Sequence, residues 1–189
     1  ALAEHDALKD VEVISCVSGG SILGAHYYLK LKHALETQAD GTIDYTKLIH
    51  DLEKEFLAGI QKNIRMRVFL NPFENLKMAF SKRYSRTHRL GELYFTHLYN
   101  QVKQTNAKAV QFMDELIISP KGDKKFSIVT DNWKRVDKVP QLILNATSVN
   151  TGHNFQFTAS WMGDPPGYIQ TDIDVKPRMR RMYYEDAPG

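Results

Sequence analysis

The stretch Val13-Ile14-Ser15-Cys16-Val17-Ser18-Gly19-Gly20-Ser21-Ile22-Leu23-Gly24-Ala25 holds the residue types most able to do chemistry. A short β-branched run enters a serine followed by two glycines, and the chain then takes up a helical pattern. A serine hydroxyl acts as a nucleophile only when it is held clear of the helix and aimed at a substrate. A sharp strand-to-helix turn does this, at a cost in backbone strain. Ser18 is therefore the candidate nucleophile. Gly19 is expected to free the turn and to present a backbone N–H at the positive end of the helix, where developing negative charge is stabilised. Gly20 is expected to leave room where the helix passes close to the strand. Turns of this kind usually carry glycine two residues before the serine, and Cys16 stands there instead. The same residues also fit a glycine-rich helix start that binds an anion or simply packs tightly.

Other chemistry-bearing residues are scattered. His26, His33, His50, His88 and His97 fall on expected helices at unrelated spacings, and no His-x-x-x-His pair occurs. His153, after Gly152 in an expected turn, is the histidine to test as a proton acceptor. Asp172 and Asp174 are the carboxylates within the chain that could serve Ser18, although neither is followed by glycine and both read as exposed loop residues. Asp40-Gly41 reads as a turn after the first helix. The single cysteine, Cys16, excludes an internal disulfide and a multi-cysteine metal site. It reads as a packed small residue, because a reactive thiol needs a neighbouring base or cation. Trp133, Phe155, Phe157 and Trp161 read as core or cleft lining. Neither a metal nor an organic cofactor is implied.

The elements that must position these groups alternate in type. A partial helix leads into a strand over Val11–Cys16, and the helix after Ser18 runs to about Thr37, closed by a loop at Gln38–Thr42. A second helix starts at Asp44, with Leu48, Leu52, Phe56 and Ile60 recurring on one face. Asn71-Pro72-Phe73-Glu74 is a helix-start signature, with Asn as cap and Pro in the first turn. A further helix spans Thr87 to about Val102 and buries Leu90, Leu93, Tyr94 and Leu98. Strands follow at Glu115–Ser119, Phe126–Thr130, Gln141–Thr147 and Asn154–Ser160. Helices clustered between the serine turn and these strands read as an insertion or lid on one sheet.

Composition bounds the class. The hydrophobic share of 42% and charged share of 25% are those of an ordinary soluble domain. No apolar run approaches the ~20 residues of a membrane-spanning helix, and the first residues lack the basic-then-apolar order of a signal peptide. A soluble or peripheral membrane protein is expected. The net charge of +3 is unevenly placed: Gln61 to Arg89 holds eight basic residues against one acid, Glu74. Phe69, Leu70, Phe73, Met78, Phe80 and Tyr84 are interleaved with them, which suits docking on anionic lipid headgroups. Lys82, Arg83, Arg86 and Arg89 are the candidate headgroup contacts. An amphipathic helical pair with an ordinary solvated face fits the same window. No nucleic-acid-binding motif appears, and no nucleic-acid partner is expected.

The segment from Val11 to Leu31, with Ser-Cys-Val-Ser-Gly-Gly-Ser followed by Ile-Leu-Gly-Ala, resembles the nucleophile region of patatin-like phospholipases, including members that relax the first glycine. Tyr84-Ser85-Arg86-Thr87 leading into Leu90-Gly91-Glu92-Leu93 is similar to the helical insert of that family. Leu144-Asn145-Ala146-Thr147-Ser148-Val149-Asn150-Thr151-Gly152 is similar to its following core strand and turn. The resemblance spans nearly the whole chain in order. It implies an α/β sandwich with a mainly parallel central sheet, residues 1–189 forming one partial domain with a helical insertion or lid at 43–105. It also implies a serine lipid acyl hydrolase acting on a phospholipid or another acyl ester through a Ser–Asp dyad, with Ser18 as nucleophile. The family's aspartate lies in an Asp-Gly step downstream of the strand that Asn145 occupies, and a glycine-rich oxyanion loop precedes its serine. Neither is present in this chain. The expectation is therefore an internal fragment, inactive by itself. The competing class is a non-catalytic α/β module that holds anionic lipid or a membrane surface through the glycine-rich turn and the basic helices.

Overall fold

The alternation Val13, Ser15, Val17 against Ile14, Cys16 builds strand β1 (Val13–Val17), the first set exposed and the second half-buried. The protein was analysed as a computed structural model that describes residues 2–60, 64–80, 84–102, 112–150, 152–164 and 181–186. It divides into two compact units, one formed by 1–45 with 112–189 and the other by 46–111.

In the first unit, helix α1 (Gly19–Thr37) covers the half-buried face of β1 and packs on β2 (Gln141–Thr147) as well. β2 runs parallel to β1, with Ser15 opposite Ile143 and Val17 opposite Asn145. Strands β3 (Asn154–Phe157), β4 (Trp161–Gly163) and β5 (Met182–Tyr183) then add in order, each antiparallel to its neighbour. The result is an α/β arrangement on a mixed, open five-stranded sheet, with β1 at an edge among the described residues. Expected as mainly parallel, the sheet has one parallel pairing among the described residues, β1 with β2. The reason is connection length. Parallel neighbours need a crossover of a dozen or more residues, which the β1-to-β2 link provides, whereas β2–β3 and β3–β4 are joined by short turns.

The core of this unit lies under α1, where Tyr28, Leu31 and Leu35 are buried along with Leu116, Ile118 and Leu142. Two expected strands do not form. Over 115–119 the chain makes a short 3-10 turn (Asp114–Leu116) and then runs irregularly, because side chains of α1 take its backbone groups: the Tyr28 hydroxyl donates to Leu116 O at 2.9 Å, Lys32 Nζ to Ile117 O at 2.6 Å, and Ser119 N donates to Glu36 Oε1 at 3.3 Å. Over 126–130 the Asp131 carboxylate accepts from Ser127 N at 3.1 Å while Asp131 N donates to Ser127 O at 2.8 Å. This local bonding competes with a sheet ladder and wins.

The second unit is helical. In α2 (Tyr45–Ile60), Leu48 and Leu52 are buried as their spacing predicts, and a Cβ on Gly59 would overlap the Leu98 side chain. Helix α3 (Ile64–Leu70) buries Ile64 and Val68 and packs on α5 (Arg86–His97), where Leu93 is buried. Between them, α4 (Pro72–Phe80) opens on the expected cap, Asn71 Oδ1 accepting from Phe73 N at 3.1 Å. Ser85 caps α5 by accepting from His88 N at 3.2 Å.

Asp40-Gly41 is a turn, as expected, with Gly41 at φ 76°, and it is also a staple. The Asp40 carboxylate accepts from Val136 N and Asp137 N, each at 3.0 Å, and pairs with Arg135 Nη2 at 3.0 Å. Gly41 N in return donates to Asp137 Oδ2 at 2.6 Å. Partial burial pushes the Asp40 carboxyl up, but the two N–H groups and Arg135 outweigh it and hold the group below its ordinary value. A depressed folded pKa means stability that is present above the unfolded value of ~3.9 and lost as pH falls through the folded one. Asp40→Ala is expected to destabilise the chain by about 1–3 kcal/mol at pH 7, with a shallower loss of stability below about pH 4 than the parent shows. Urea unfolding at neutral and acid pH measures both, and parallel acid profiles for the two proteins would rule the staple out.

Candidate active site

The Ser18 backbone sits at φ 52°, ψ −126°, between the end of β1 and the first residue of α1. Two non-glycine residues have positive φ among those described. Asp6 lies in the left-handed helical region that Asp tolerates, whereas the ψ of Ser18 is far outside it. Such a conformation costs of order 1–3 kcal/mol and persists only where the surroundings over-determine it. Ser18 is exposed, and its side chain does not cap the helix. Ser21 N donates to Ser18 O at 3.0 Å, closing the first turn. The N–H groups of Gly19 and Gly20 belong to that turn and have no acceptor within the helix.

Room for the helix is found one turn later than expected. A Cβ on Gly20 would meet nothing within 4 Å, and the same holds for Gly19. Gly24 is the point of close approach: a Cβ there would overlap Cys16 Sγ and lie 3.8 Å from Ile14 Cγ2. The bulk that Cys16 adds in place of the usual glycine on the strand is accommodated by a glycine on the helix. Burial pushes the Cys16 thiol up from its ordinary value, so it is a packing residue and not a thiolate.

The opposite face of the strand is fixed by Asn145, whose role the sequence reading missed. Its Nδ2 donates to Ser15 Oγ at 2.9 Å and to Cys16 O at 3.0 Å. Its Oδ1 accepts from Gln156 Nε2 at 3.0 Å and Asn154 Nδ2 at 3.4 Å. One amide thus ties β1, β2 and β3 together beside the serine turn. The available signal was a polar residue closing the apolar run Leu142-Ile143-Leu144.

The register places His153, just before β3, and Asp164, just after β4, at the end of the sheet where β1 and β2 finish, the end that carries Ser18. His153 Nδ1 is 3.8 Å from Asp164 Oδ2, an ion-pair distance when the imidazole is protonated. Asp164 is buried, and neither of its oxygens has a hydrogen-bond partner among the described residues. Asp172 and Asp174 lie outside the described residues, as do Lys82 and Arg83. Of the other headgroup candidates, Arg86 is exposed, whereas Arg89 Nη1 is bonded to Glu92 Oε2 at 3.0 Å. Glu92 also accepts from the Tyr84 hydroxyl at 2.7 Å. An open recess of about 350 Å³ beside Arg89 is lined by Leu70, Asn71, Pro72 and Leu93. Among the described residues no group of His, Cys, Asp and Glu is placed to hold a metal ion.

Two substitutions test this geometry. Ser18→Gly is expected to be more stable than Ser18→Ala by about 1–2 kcal/mol, since glycine adopts positive φ freely and alanine inherits the strain. Equal unfolding free energies would remove the strain. Gly24→Ala is expected to destabilise by about 1–3 kcal/mol, and Cys16→Ala in the same chain to recover a large part of the loss. Additive effects in that double-mutant cycle would separate the two positions. Comparison of the chain with protein-family models, curated proteins and solved structures found no match to any of them.

Proposed function

We propose that Ser18 is the nucleophile of a serine acyl hydrolase of the patatin-like kind, acting on a phospholipid or a related acyl ester. The observation that carries this reading is the strained, exposed backbone of Ser18 at the strand-to-helix turn. A serine kept only for packing has no reason to hold that conformation, while a nucleophile gains the outward aim it needs. The α/β arrangement and the order of the serine turn, helical unit and Asn145 strand support assigning the whole to a patatin-like sandwich.

In this mechanism Ser18 Oγ attacks the acyl carbonyl carbon as its proton passes to a general base. The tetrahedral oxyanion is met by backbone N–H groups at the start of α1. Its collapse expels the alcohol, which takes up the proton, and leaves an acyl-serine that water hydrolyses to the free fatty acid. The resemblance to patatin-like enzymes implies an aspartate as this base. His153 beside Asp164 is the alternative within the chain.

Hydrolysis of a short-chain p-nitrophenyl ester tests the assignment. Ser18→Ala is expected to lower turnover on the order of 10⁴-fold or more. Turnover that survives Ser18→Ala would overturn the nucleophile, and loss with His153→Ala would assign the base to that histidine.

A further inference from the structure

We propose that the apolar stripe running from α3 onto α4 is a docking face for anionic lipid bilayers, with Phe73, Leu76 and Phe80 entering the boundary between headgroups and acyl chains. The exposure of these residues is the first observation: Phe73 and Phe80 are each 84% exposed, Leu70 69% and Leu76 59%. Single exposed apolar side chains are ordinary, but a contiguous run of large ones marks an interaction surface. Spacing is the second. Positions 73, 76 and 80 fall within an arc of roughly 60° on a helix that advances 100° per residue, so they make one edge of α4 and not a scatter.

Charge decides what the face meets. The window from Gln61 to Arg89 carries eight basic residues and one acid. Lys77, one turn after Phe73, is exposed, and its ammonium lies 4.1 Å from the Tyr84 ring centroid. Arg86 is exposed at the start of α5. A second copy of the chain in a two-fold contact through α4 would set Lys77, and with it one strongly basic window, against its own copy. An anionic bilayer satisfies both features at once, because apolar side chains insert while cations such as Lys77 and Arg86 meet headgroup phosphates and carboxylates. The docking face belongs to the helical unit and is independent of whether Ser18 turns over ester.

Vesicle sedimentation of the 189-residue Ser18→Ala chain separates the two questions, since it leaves the lipid intact. Vesicles of phosphatidylcholine mixed with phosphatidylserine are expected to bind about tenfold or more tightly than phosphatidylcholine alone, and the margin should shrink in high salt. Phe73→Ser with Phe80→Ser is expected to lower binding by about tenfold or more, with unchanged melting because both side chains are exposed. Lys77→Ala and Arg86→Ala should each reduce the anionic preference about fivefold. The proposal is overturned if the double serine variant binds as well as its parent, or if neither vesicle binds. It is also overturned if the chain dimerises in solution and those same serines dissolve the dimer, which would make a second copy the occupant.

Discussion

The contact between Gly24 and Cys16 is the constraint on which the serine turn depends. Helix α1 can lie on β1 only because the helix carries no side chain where the sulfur of Cys16 projects. Interiors are packed near the density of organic crystals, so even one methyl group in that gap would push the helix off the strand. The direction in which α1 leaves β1 fixes the backbone of the residue joining them, and that residue is Ser18. Asn145 acts on the same strand through its side chain, holding the Cys16 carbonyl and the Ser15 hydroxyl from β2. Constraint by helix packing together with constraint by a side-chain amide lets an unfavourable φ, ψ pair survive at an exposed serine.

The legibility of the fold in the sequence followed where each backbone finds its hydrogen bonds. Gln141–Thr147 forms a strand at the limits its sequence predicts because the apolar run Leu142-Ile143-Leu144 has no local side-chain alternative to the ladder. Asn71 before Pro72 announced α4 for a similar reason, since the cap is a short-range bond that no tertiary contact need supply. Segments 115–119 and 126–130 have the same apolar look but meet different partners. Lys32, Glu36 and Tyr28 on α1 take up the first, and Asp131 folds the second on itself. Such partners lie far off in sequence or compete through a single carboxylate, so no periodicity exposes them. The site divides in the same way. Ser18 was legible as a local turn, whereas Gly24 and Asn145 matter only once strand, helix and neighbouring strand are superposed in space.

The edge position of β1 adds a tension to this arrangement. Val13 is 54% exposed and Val17 66% exposed, on a strand that has one sheet neighbour among the described residues. An apolar edge strand is a template for pairing with other chains, and proteins usually blunt such edges with charge, proline or a bulge. None of these is present between Val13 and Val17. The strand that carries the candidate nucleophile is therefore also an edge open to association, and among the described residues Asn145 restrains it from one neighbour and α1 from one face.

Two nucleophilic atoms stand two residues apart in this turn, and burial decides between them. Alternation along β1 sends the Cys16 side chain toward α1, where loss of water disfavours the thiolate and pushes the thiol up. A protonated, packed sulfur is a poor nucleophile, however close it lies to the positive end of a helix. Ser18 leaves the strand at the turn, faces solvent and stands directly before the first N–H groups of α1. Those dipoles act on charge that develops outside the helix end, beside Ser18, and not on a thiol behind it. The strain at Ser18 and the burial of Cys16 thus leave the serine, and not the thiol, as the candidate nucleophile of the turn.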